Sequence, residues 1–217
     1  MRSRAIEAYK TTLRLSDVQR EILVGILLGD ACLETQNAGR SYRLKIEQGI
    51  AHSDYVQHLY SVLRDWVLSP PRPKQGQTKG VTTLNLAFQT VSHLELSLYG
   101  QLFYRERRKI VPDNIGELLT ARGLAYWFMD DGSVKSAESK GVVLSTQAYT
   151  AADVERLIEI LRSRFGLQAK MREQSDGPQI YVAGRSYERL SELIEPFLLE
   201  EMRYKVPRAR RTHLPKT

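Results

Sequence analysis

The chain has 217 residues, 42% of them hydrophobic, which is sufficient for a globular protein with a sizeable core. Its single cysteine, Cys32, excludes an intrachain disulfide and fits a reducing compartment, and no apolar run reaches the length of about 18 residues that a membrane span needs. The formal net charge of +7 indicates a polyanionic partner, nucleic acid before an acidic membrane surface. We therefore expect an intracellular protein that does not enter a membrane.

Apolar spacing divides the first half of the chain into helices and strands. The almost uninterrupted apolar stretch 22–31 predicts a buried helix that ends in a carboxylate, and an alternating strand follows at 42–48. Apolar residues at helical spacing predict a helix at 55–66. A connection rich in proline and glycine then leads to a strand at 81–89 and a helix at 92–104. The order in this half is helix, two strands, helix, two strands, helix.

The second half repeats this pattern about 100 residues later. A second apolar stretch, 123–132, also ends in a carboxylate, and Thr150 is placed as the N-cap of a later helix. The remaining predicted elements of this half are strands 142–147, 168–173 and 179–182, and helices 154–165 and 186–198. The repeat indicates that both halves share one fold.

Two such halves make one α+β protein with internal pseudo-symmetry. Each half finishes on a lysine followed closely by a proline, at 109–112 and at 205–207. We predict the order αββαββα for each half, with the halves packed through the two apolar helices. The predicted boundaries are 1–112 for the first half, 113–120 for a short linker and 121–217 for the second half with its basic tail.

Polar residues on the predicted strands indicate which sheet surface meets a partner. In strand 42–48, charged residues alternate with apolar ones, as in any antiparallel sheet that is half exposed. Simple solvation explains one such strand, but these faces repeatedly carry Arg, Lys, Asn and Gln, which contact bases and phosphates. We therefore expect two saddle-shaped antiparallel sheets that bind double-stranded DNA. The predicted DNA-binding residues are Arg43, Lys45, Arg72, Lys74, Asn85, Gln89, Lys135, Lys170 and Arg172, together with Arg208, Arg210 and Arg211 in the tail.

Basic residues also concentrate in two clusters outside the predicted strands. The segment 105–109 carries four basic residues against one glutamate, and no acid follows Glu201. Either cluster alone is consistent with a solvated end of an element. Two of them in a basic chain favour a nucleic-acid partner.

The chemistry is predicted from the ends of the two apolar stretches, at Asp30 and Asp131. A helix that is apolar all round packs on a partner, and small residues four apart allow two such helices to meet closely. These small residues are Gly25 and Gly29 in the first helix and Ala121 and Ala125 in the second. Each carboxylate then meets the negative end of its helix dipole and the other carboxylate, which a divalent cation such as Mg²⁺ would neutralise. The alternative is that each aspartate only caps a turn.

The two stretches resemble the paired signature of the LAGLIDADG homing endonucleases. The first copy reads LVGILLGDA at 23–31 and the second reads LAYWFMDDG at 124–132. The WFMDDG form of the second copy, the segment WVLSPP at 66–71 and the two Lys/Pro endings are similar to the single-chain subfamily with two motifs. The resemblance covers residues 16–207, and it departs from the family pattern where Ala31 replaces a glycine.

The resemblance implies roles for the residues at the ends of the motifs. Asp30 and Asp131 would bind the metal ions at the scissile phosphates, and Gly29 and Asp130 would offer backbone carbonyls to the same metals. The implied cofactor is Mg²⁺, with Mn²⁺ as a substitute.

The resemblance also implies an outer group of four residues. Lys109 and Lys205 would be the basic residues beside the active sites, and Glu47 and Gln147 would orient water or metal. Because Glu47 and Gln147 differ, the two active sites are expected to be non-identical.

The implied function is that of a monomeric endonuclease that cuts both strands of a long, asymmetric DNA site and promotes intron or intein mobility, in an organelle or a prokaryotic cytoplasm. One alternative is an RNA maturase on the same fold that assists splicing of a group I intron, or a bifunctional protein with intron RNA as a further partner. The other is a catalytically inactive DNA-binding regulator, in which at least one of the two acids should be missing. Both acids are present.

Overall fold

Each half of the chain folds around one four-stranded antiparallel sheet that is backed by helices. The computed structural model describes residues 2–78, 80–136 and 138–207. The first sheet consists of β1 (Cys32–Glu34), β2 (Arg43–Gly49), β3 (Arg72–Thr78) and β4 (Val81–Gln89). A two-stranded hairpin follows, β5 (Tyr104–Arg105) and β6 (Arg108–Lys109). The second sheet consists of β7 (Gly132–Val134), β8 (Val142–Leu144), β9 (Ala169–Gln174) and β10 (Gly177–Val182).

The two four-stranded sheets have the same topology. Their strand orders are β1-β2-β4-β3 and β7-β8-β10-β9, so the equivalent strands occupy equivalent places in each half. All neighbouring strands run antiparallel. The predicted α+β fold of two repeated sheet-and-helix halves is therefore confirmed.

Six of the eight helices in the described ranges overlap helices that the apolar patterns predict, whereas the first and the fifth were not predicted. They are α1 (Arg2–Lys10), α2 (Asp17–Leu28), α3 (Ser53–Val62), α4 (Leu94–Phe103), α5 (Ile115–Leu118), α6 (Ala121–Asp131), α7 (Ala151–Ser163) and α8 (Tyr187–Ile194). Helix α7 starts at a capping box in which the Thr150 hydroxyl accepts from the backbone N–H of Asp153, so the predicted N-cap is confirmed. Within the described ranges, no helix is both long and apolar enough to cross a membrane.

Helices α2 and α6 pack face to face at the centre of the molecule. Residues 22–28 of α2 and 123–129 of α6 are all buried. A Cβ added to Gly25 would overlap the carbonyl oxygen of Gly123, so the two backbones touch at this point. The close approach was correctly predicted for Gly25, but its partner is Gly123 and not the predicted pair of Ala121 and Ala125.

Several local features differ from the sequence-based predictions. The predicted strand 142–147 ends at Leu144, because the chain turns there towards the N-cap of α7. The predicted linker 113–120 contains α5, and its residues Ile115 and Leu119 are fully buried, so this connection packs into the core. The predicted helix 186–198 is α8 followed by a short 3₁₀ turn at Glu195–Phe197. The short strands β1 and β7 and the β5–β6 hairpin lack a long alternating pattern and were not predicted as strands, and β3 lies in the stretch that was predicted as a connection rich in proline and glycine.

Candidate active site

The two predicted metal-binding acids lie together at the ends of the packed helices. Helix α2 ends at Leu28 and is capped by Gly29, which places Asp30 one residue beyond the helix and exposed to solvent. Asp131 is the last residue of α6 and is largely buried. Its Oδ2 accepts a hydrogen bond of 3.1 Å from the indole N–H of Trp127, one turn earlier in the helix. The close packing of α2 on α6 therefore brings one carboxylate from each half to the same place.

Burial and like charge act together on Asp131. Burial first, and then the charge of Asp30, raise the pKa of this carboxyl group to about 7, against the opposing effect of the Trp127 N–H. Lys109 and Lys205 also stabilise its charged form, but less strongly. An acid with such a pKa beside a second carboxylate is a candidate for binding a cation, whose charge would offset both causes of the shift.

This shift predicts how the stability of the metal-free protein depends on pH. Because the folded protein binds the proton of Asp131 more tightly than the unfolded chain does, the stabilisation is complete below pH about 4 and is lost as the pH rises to about 7. We expect the Tm measured in EDTA to fall between pH 5 and pH 7.5. The variant Asp131→Asn should flatten this dependence and raise the Tm at pH 7.5 by at least about 2–4 °C, the shift that about 1 kcal/mol produces in a chain of this size. A Tm that rises with pH in the wild type would contradict the assignment.

The side chain of Asp130 connects the two motif helices. Its Oδ2 accepts a hydrogen bond of 3.1 Å from the backbone N–H of Asp30. A Cβ on Gly29 would overlap this carboxyl group, so only glycine leaves room for it. The other oxygen, Oδ1, and the hydroxyl of Tyr55 are buried, and each lacks a hydrogen-bond partner among the described residues. Burial raises the pKa of Asp130 well above its usual range, and the charge of Asp30 adds to the rise.

The two predicted lysines lie beneath the acids and bind main-chain carbonyls. The ammonium of Lys109 donates to the carbonyl oxygens of Gly29 and Ala31, both at 2.8 Å. The ammonium of Lys205 donates to the carbonyl oxygens of Met129 and Asp130, the latter at 2.7 Å. Burial lowers the pKa of both lysines. Each lysine thus contacts the motif of its own half.

The lysine contacts involve the two carbonyls that the family resemblance implies as metal ligands. The carbonyl oxygens of Gly29 and Asp130 each accept from an ammonium group here. A carbonyl oxygen has two lone pairs, so each retains one acceptor position for a second partner. The metal role of these carbonyls therefore remains a prediction, and it requires the lysine and the metal to share one oxygen.

Glu47 lies on the polar face of the first sheet and lines one open cleft together with Asp30. Its carboxylate accepts from Lys74 at 2.7 Å and from the Asn85 amide at 2.9 Å, and Lys45 lies 3.4 Å away. These hydrogen bonds, that of Lys74 above all, lower the pKa of Glu47 to about 2. Glu47 is therefore a fixed anion that organises the basic residues around it.

Gln48 is a site residue that the sequence-based prediction missed. Its amide Nε2 donates to Oδ2 of Asp30 at 2.8 Å. The alternation that buries Leu44 and Ile46 places Gln48 on the same inward face of β2. A polar residue at an inward position of a strand was the available signal, because such a side chain needs a partner near the core.

Gln147 is not the structural counterpart of Glu47. Cys32 and Ser133, each two residues after its acid, pair with Lys45 and Val143 respectively. By this register, the second-half equivalents of Glu47 and Gln48 are Ser145 and Thr146. Gln147 lies in the turn after β8, and its main-chain oxygen packs against Gly177, where a Cβ would lie 2.6 Å away. The two acids nevertheless have different surroundings, in line with the expected non-identity.

The predicted DNA-binding residues of the first sheet share one face. Register pairs Lys45 with Gln89 and Lys74 with Asn85, while Leu86 and Phe88 point into the core. Arg43, Lys45, Arg72, Lys74, Asn85 and Gln89 therefore lie on the polar side. Glu34 and Glu47 hold several of these basic groups in place, with Arg43 2.8 Å from Glu34. The polar face of the first sheet therefore presents hydrogen-bond donors, held in position by glutamates, to a ligand that lies over it.

The second sheet gathers its basic residues around one tyrosine. The guanidinium of Arg172 lies 3.7 Å from the ring centroid of Tyr181, and the ammonium groups of Lys135 and Lys170 lie 5.6 Å and 5.9 Å from it. Lys170 is paired with Tyr181 across β9 and β10. The structure thus brings these three predicted residues together. The remaining predicted residues, Arg208, Arg210 and Arg211, lie outside the described part of the chain.

Comparison with known proteins agrees with this architecture. The model of the LAGLIDADG DNA endonuclease family matches residues 20–190. A relative named probable intron-encoded endonuclease 1, from Wickerhamomyces canadensis, is 32% identical over 94% of this chain and 90% of its own length. A relative named cytochrome b mRNA maturase bI2, from Debaryomyces hansenii, is 26% identical over 86% of this chain and 72% of its own length.

A solved structure is similar over nearly the whole chain. It is described as the homing endonuclease I-WcaI bound to its DNA recognition sequence. Its TM-score is 0.88 at 30% sequence identity, and the match covers 94% of this chain and 93% of that one. The paired acids between two basic sheets define a nuclease of the two-motif type. The chain belongs to the LAGLIDADG DNA endonuclease family.

Proposed function

We propose that this protein is a site-specific homing endonuclease that makes a double-strand break in a long, asymmetric DNA target. The observation that carries the proposal is the position of Asp30 and Asp131, side by side where the two halves meet, with a basic sheet face on either side. The names of the relative and of the DNA-bound neighbour support it. Because the side chains on the two sheets differ, the target should lack two-fold symmetry.

Divalent-metal chemistry fits the oxygen atoms that this site offers. The carboxylates of Asp30 and Asp131 are hard oxygen ligands of the kind that Mg²⁺ prefers. Bound there, Mg²⁺ or its substitute Mn²⁺ would supply a positive charge that stabilises the attacking and leaving oxygens of phosphodiester hydrolysis. The chain itself holds Asp30 from two sides, through the Gln48 amide and the Asp130 carboxyl group.

The two lysines are proposed to act on different strands, since each contacts the motif of its own half. A buried ammonium next to the acids would stabilise charge that develops on a phosphate. We expect Lys109→Met to slow the cutting of one strand and Lys205→Met that of the other, each on the order of 100-fold. Strand-specific end labels in a single-turnover assay measure this. Lys140→Met is the control, because Lys140 is paired with Glu188. Equal slowing of both strands by each variant would contradict the assignment.

The proposed function is tested directly by selecting cleavage sites from a randomised DNA library in Mg²⁺. We expect one long asymmetric site to be recovered, with both strands cut at a fixed position. A library that remains uncut in Mg²⁺ and in Mn²⁺, with pure folded protein, would refute the proposal. In solution the protein should sediment as a monomer, since one chain supplies both halves.

A maturase activity is the second candidate, because one relative over 86% of the chain carries that name. It predicts tight binding to a structured intron RNA that Asp30→Asn and Asp131→Asn leave unchanged. The two functions are not exclusive, and splicing assays with a host intron would separate them. Residence in an organelle or a prokaryotic cytoplasm, and mobility of an intron or intein, remain predictions.

A further inference from the structure

The hairpin β5–β6 follows α4, ends at Lys109 beside the first motif and carries three arginines. Tyr104 pairs with Lys109 and Arg105 with Arg108, which leaves Glu106 and Arg107 as a two-residue turn. Both turn residues have positive φ angles, 49° and 66°. Two-residue turns of this kind favour glycine or asparagine, so two charged residues here are unusual. The tip is thus a short, tightly defined loop with charged side chains.

The hairpin is fixed firmly to the end of the first motif. The hydroxyl of Tyr104 accepts from the backbone N–H of Leu33 at 2.9 Å. Phe103, which precedes the hairpin, is fully buried, and its carbonyl accepts from the N–H of Ile110 at 2.8 Å. The last hairpin residue, Lys109, reaches the carbonyls on both sides of Asp30. The arginines therefore have a defined position next to the first acid.

The charges of this hairpin differ from those of the three basic residues on the first sheet that glutamates hold. Arg105, Arg107 and Arg108 are exposed. In the portion of the chain that the structure describes, none of the three has a carboxylate within ion-pair distance, whereas Arg43, Lys45 and Lys74 are all paired with glutamates. Exposed guanidinium groups without a carboxylate partner suit phosphate, which they bind through two parallel hydrogen bonds.

In the second half, the described residues that lead to Lys205 do not form such a hairpin. There Lys205 ends a 3₁₀ segment, Glu200–Lys205. Arg203, two residues before Lys205 as Arg107 is two before Lys109, is held by Glu200 at 2.6 Å. Among the described residues, a hairpin with three arginines that lack carboxylate partners therefore lies beside the lysine of the first half and not beside that of the second.

We propose that the segment 104–109 is a DNA-binding element separate from the two sheets, and that its arginines bind the phosphate backbone beside the cleavage centre on one side only. This inference rests on the proposed function. The hairpin ends at Lys109, whose ammonium lies 2.8 Å from the carbonyl oxygens on both sides of Asp30, so DNA bound at Asp30 lies beside the hairpin. The segment 104–109 would increase affinity for DNA of any sequence and hold the duplex at the cleavage centre.

The test measures how DNA affinity in Ca²⁺ depends on salt. We expect Arg105→Gln, Arg107→Gln and Arg108→Gln together to raise Kd on the order of tenfold or more at 0.15 M salt, with equal effect on all sequences. The slope of log K against log salt should fall by about 0.9 for each lost phosphate contact. The triple change to lysine should restore most of the slope. In the triple glutamine variant, ethylation of the DNA phosphates on one side of the cleavage centre should no longer interfere with binding.

Arg203→Gln is the matched control, because it removes an arginine at the same distance from the other lysine. Arg107→Gln alone leaves the paired strands untouched and should lower the slope by about 0.9, which keeps the test valid if the triple variant unfolds. A slope for Arg107→Gln equal to that of Arg203→Gln would overturn the inference. Failure of the wild type to bind any DNA would instead refute the proposed function.

Discussion

Asparagine at position 30 or 131 is expected to reduce DNA cleavage at least about 1000-fold. Each change would remove a negatively charged ligand of the proposed metal ion, which would stabilise the transition state by several kcal/mol. About 1.4 kcal/mol corresponds to a factor of ten in rate. Binding of the target in Ca²⁺ should be retained, because the sheet faces that hold the DNA are unchanged. Single-turnover cleavage and a gel-shift assay measure the two quantities.

Asp17→Asn provides the control for these variants. Asp17 lies in the first turn of α2, the same helix that leads to Asp30, and it is exposed at the opposite end. This variant should cut at the wild-type rate. Cleavage at the wild-type rate by both Asp30→Asn and Asp131→Asn would contradict the proposed metal mechanism, whatever rate Asp17→Asn shows.

A side chain at position 25 is expected to destabilise the fold severely. The Cβ of Gly25→Ala would overlap a main-chain oxygen of Gly123, so α2 and α6 must separate. Overpacking in a core costs about 1–3 kcal/mol, and a clash with backbone at the central interface belongs at or above the upper end of that range. Urea unfolding should show a free energy of unfolding lower by about 3 kcal/mol, and Gly25→Val should be lower still.

Gly49→Ala is the corresponding control. Gly49 has ordinary φ and ψ angles of −54° and 146°, and no neighbouring atom lies within 4 Å of an added Cβ. Its free energy of unfolding should change by less than about 1 kcal/mol. Equal stability of Gly25→Ala and Gly49→Ala would show that the two motif helices do not meet as described.

Apolar and alternating patterns that extend over several residues were sufficient to predict the fold. The two apolar stretches, the alternation in β2 and β4 and the N-cap at Thr150 depend on local chemistry, and they placed most elements within a few residues. The strands β1 and β7, with three residues each, are too short to show alternation. They form because the chain that leaves each acid pairs with the next strand, which is a tertiary effect.

The candidate site was predictable only where the motif itself supplied the residues. Asp30 and Asp131 follow from two apolar helices that end in acids, and Lys109 and Lys205 from the family resemblance. The hydrogen bond from Gln48 to Asp30 and the equivalence of Ser145 with Glu47 depend on strand register, which no short pattern in this sequence determines. The contact of Gly25 with Gly123 likewise depends on the rotation of one helix against the other.

The Asp130 side chain of the second motif fills the space left by Gly29 of the first, so the two motifs are complementary and not interchangeable. Two copies of the first half would face glycine with glycine, which would leave a void and an Asp30 N–H without its acceptor. Two copies of the second half would force two Asp130 carboxyl groups into the space that one now fills. Symmetric dimers built from either half should therefore assemble poorly. Chimeric nucleases that exchange DNA-reading sheets should keep α2 and α6 together and join the foreign sheets outside them.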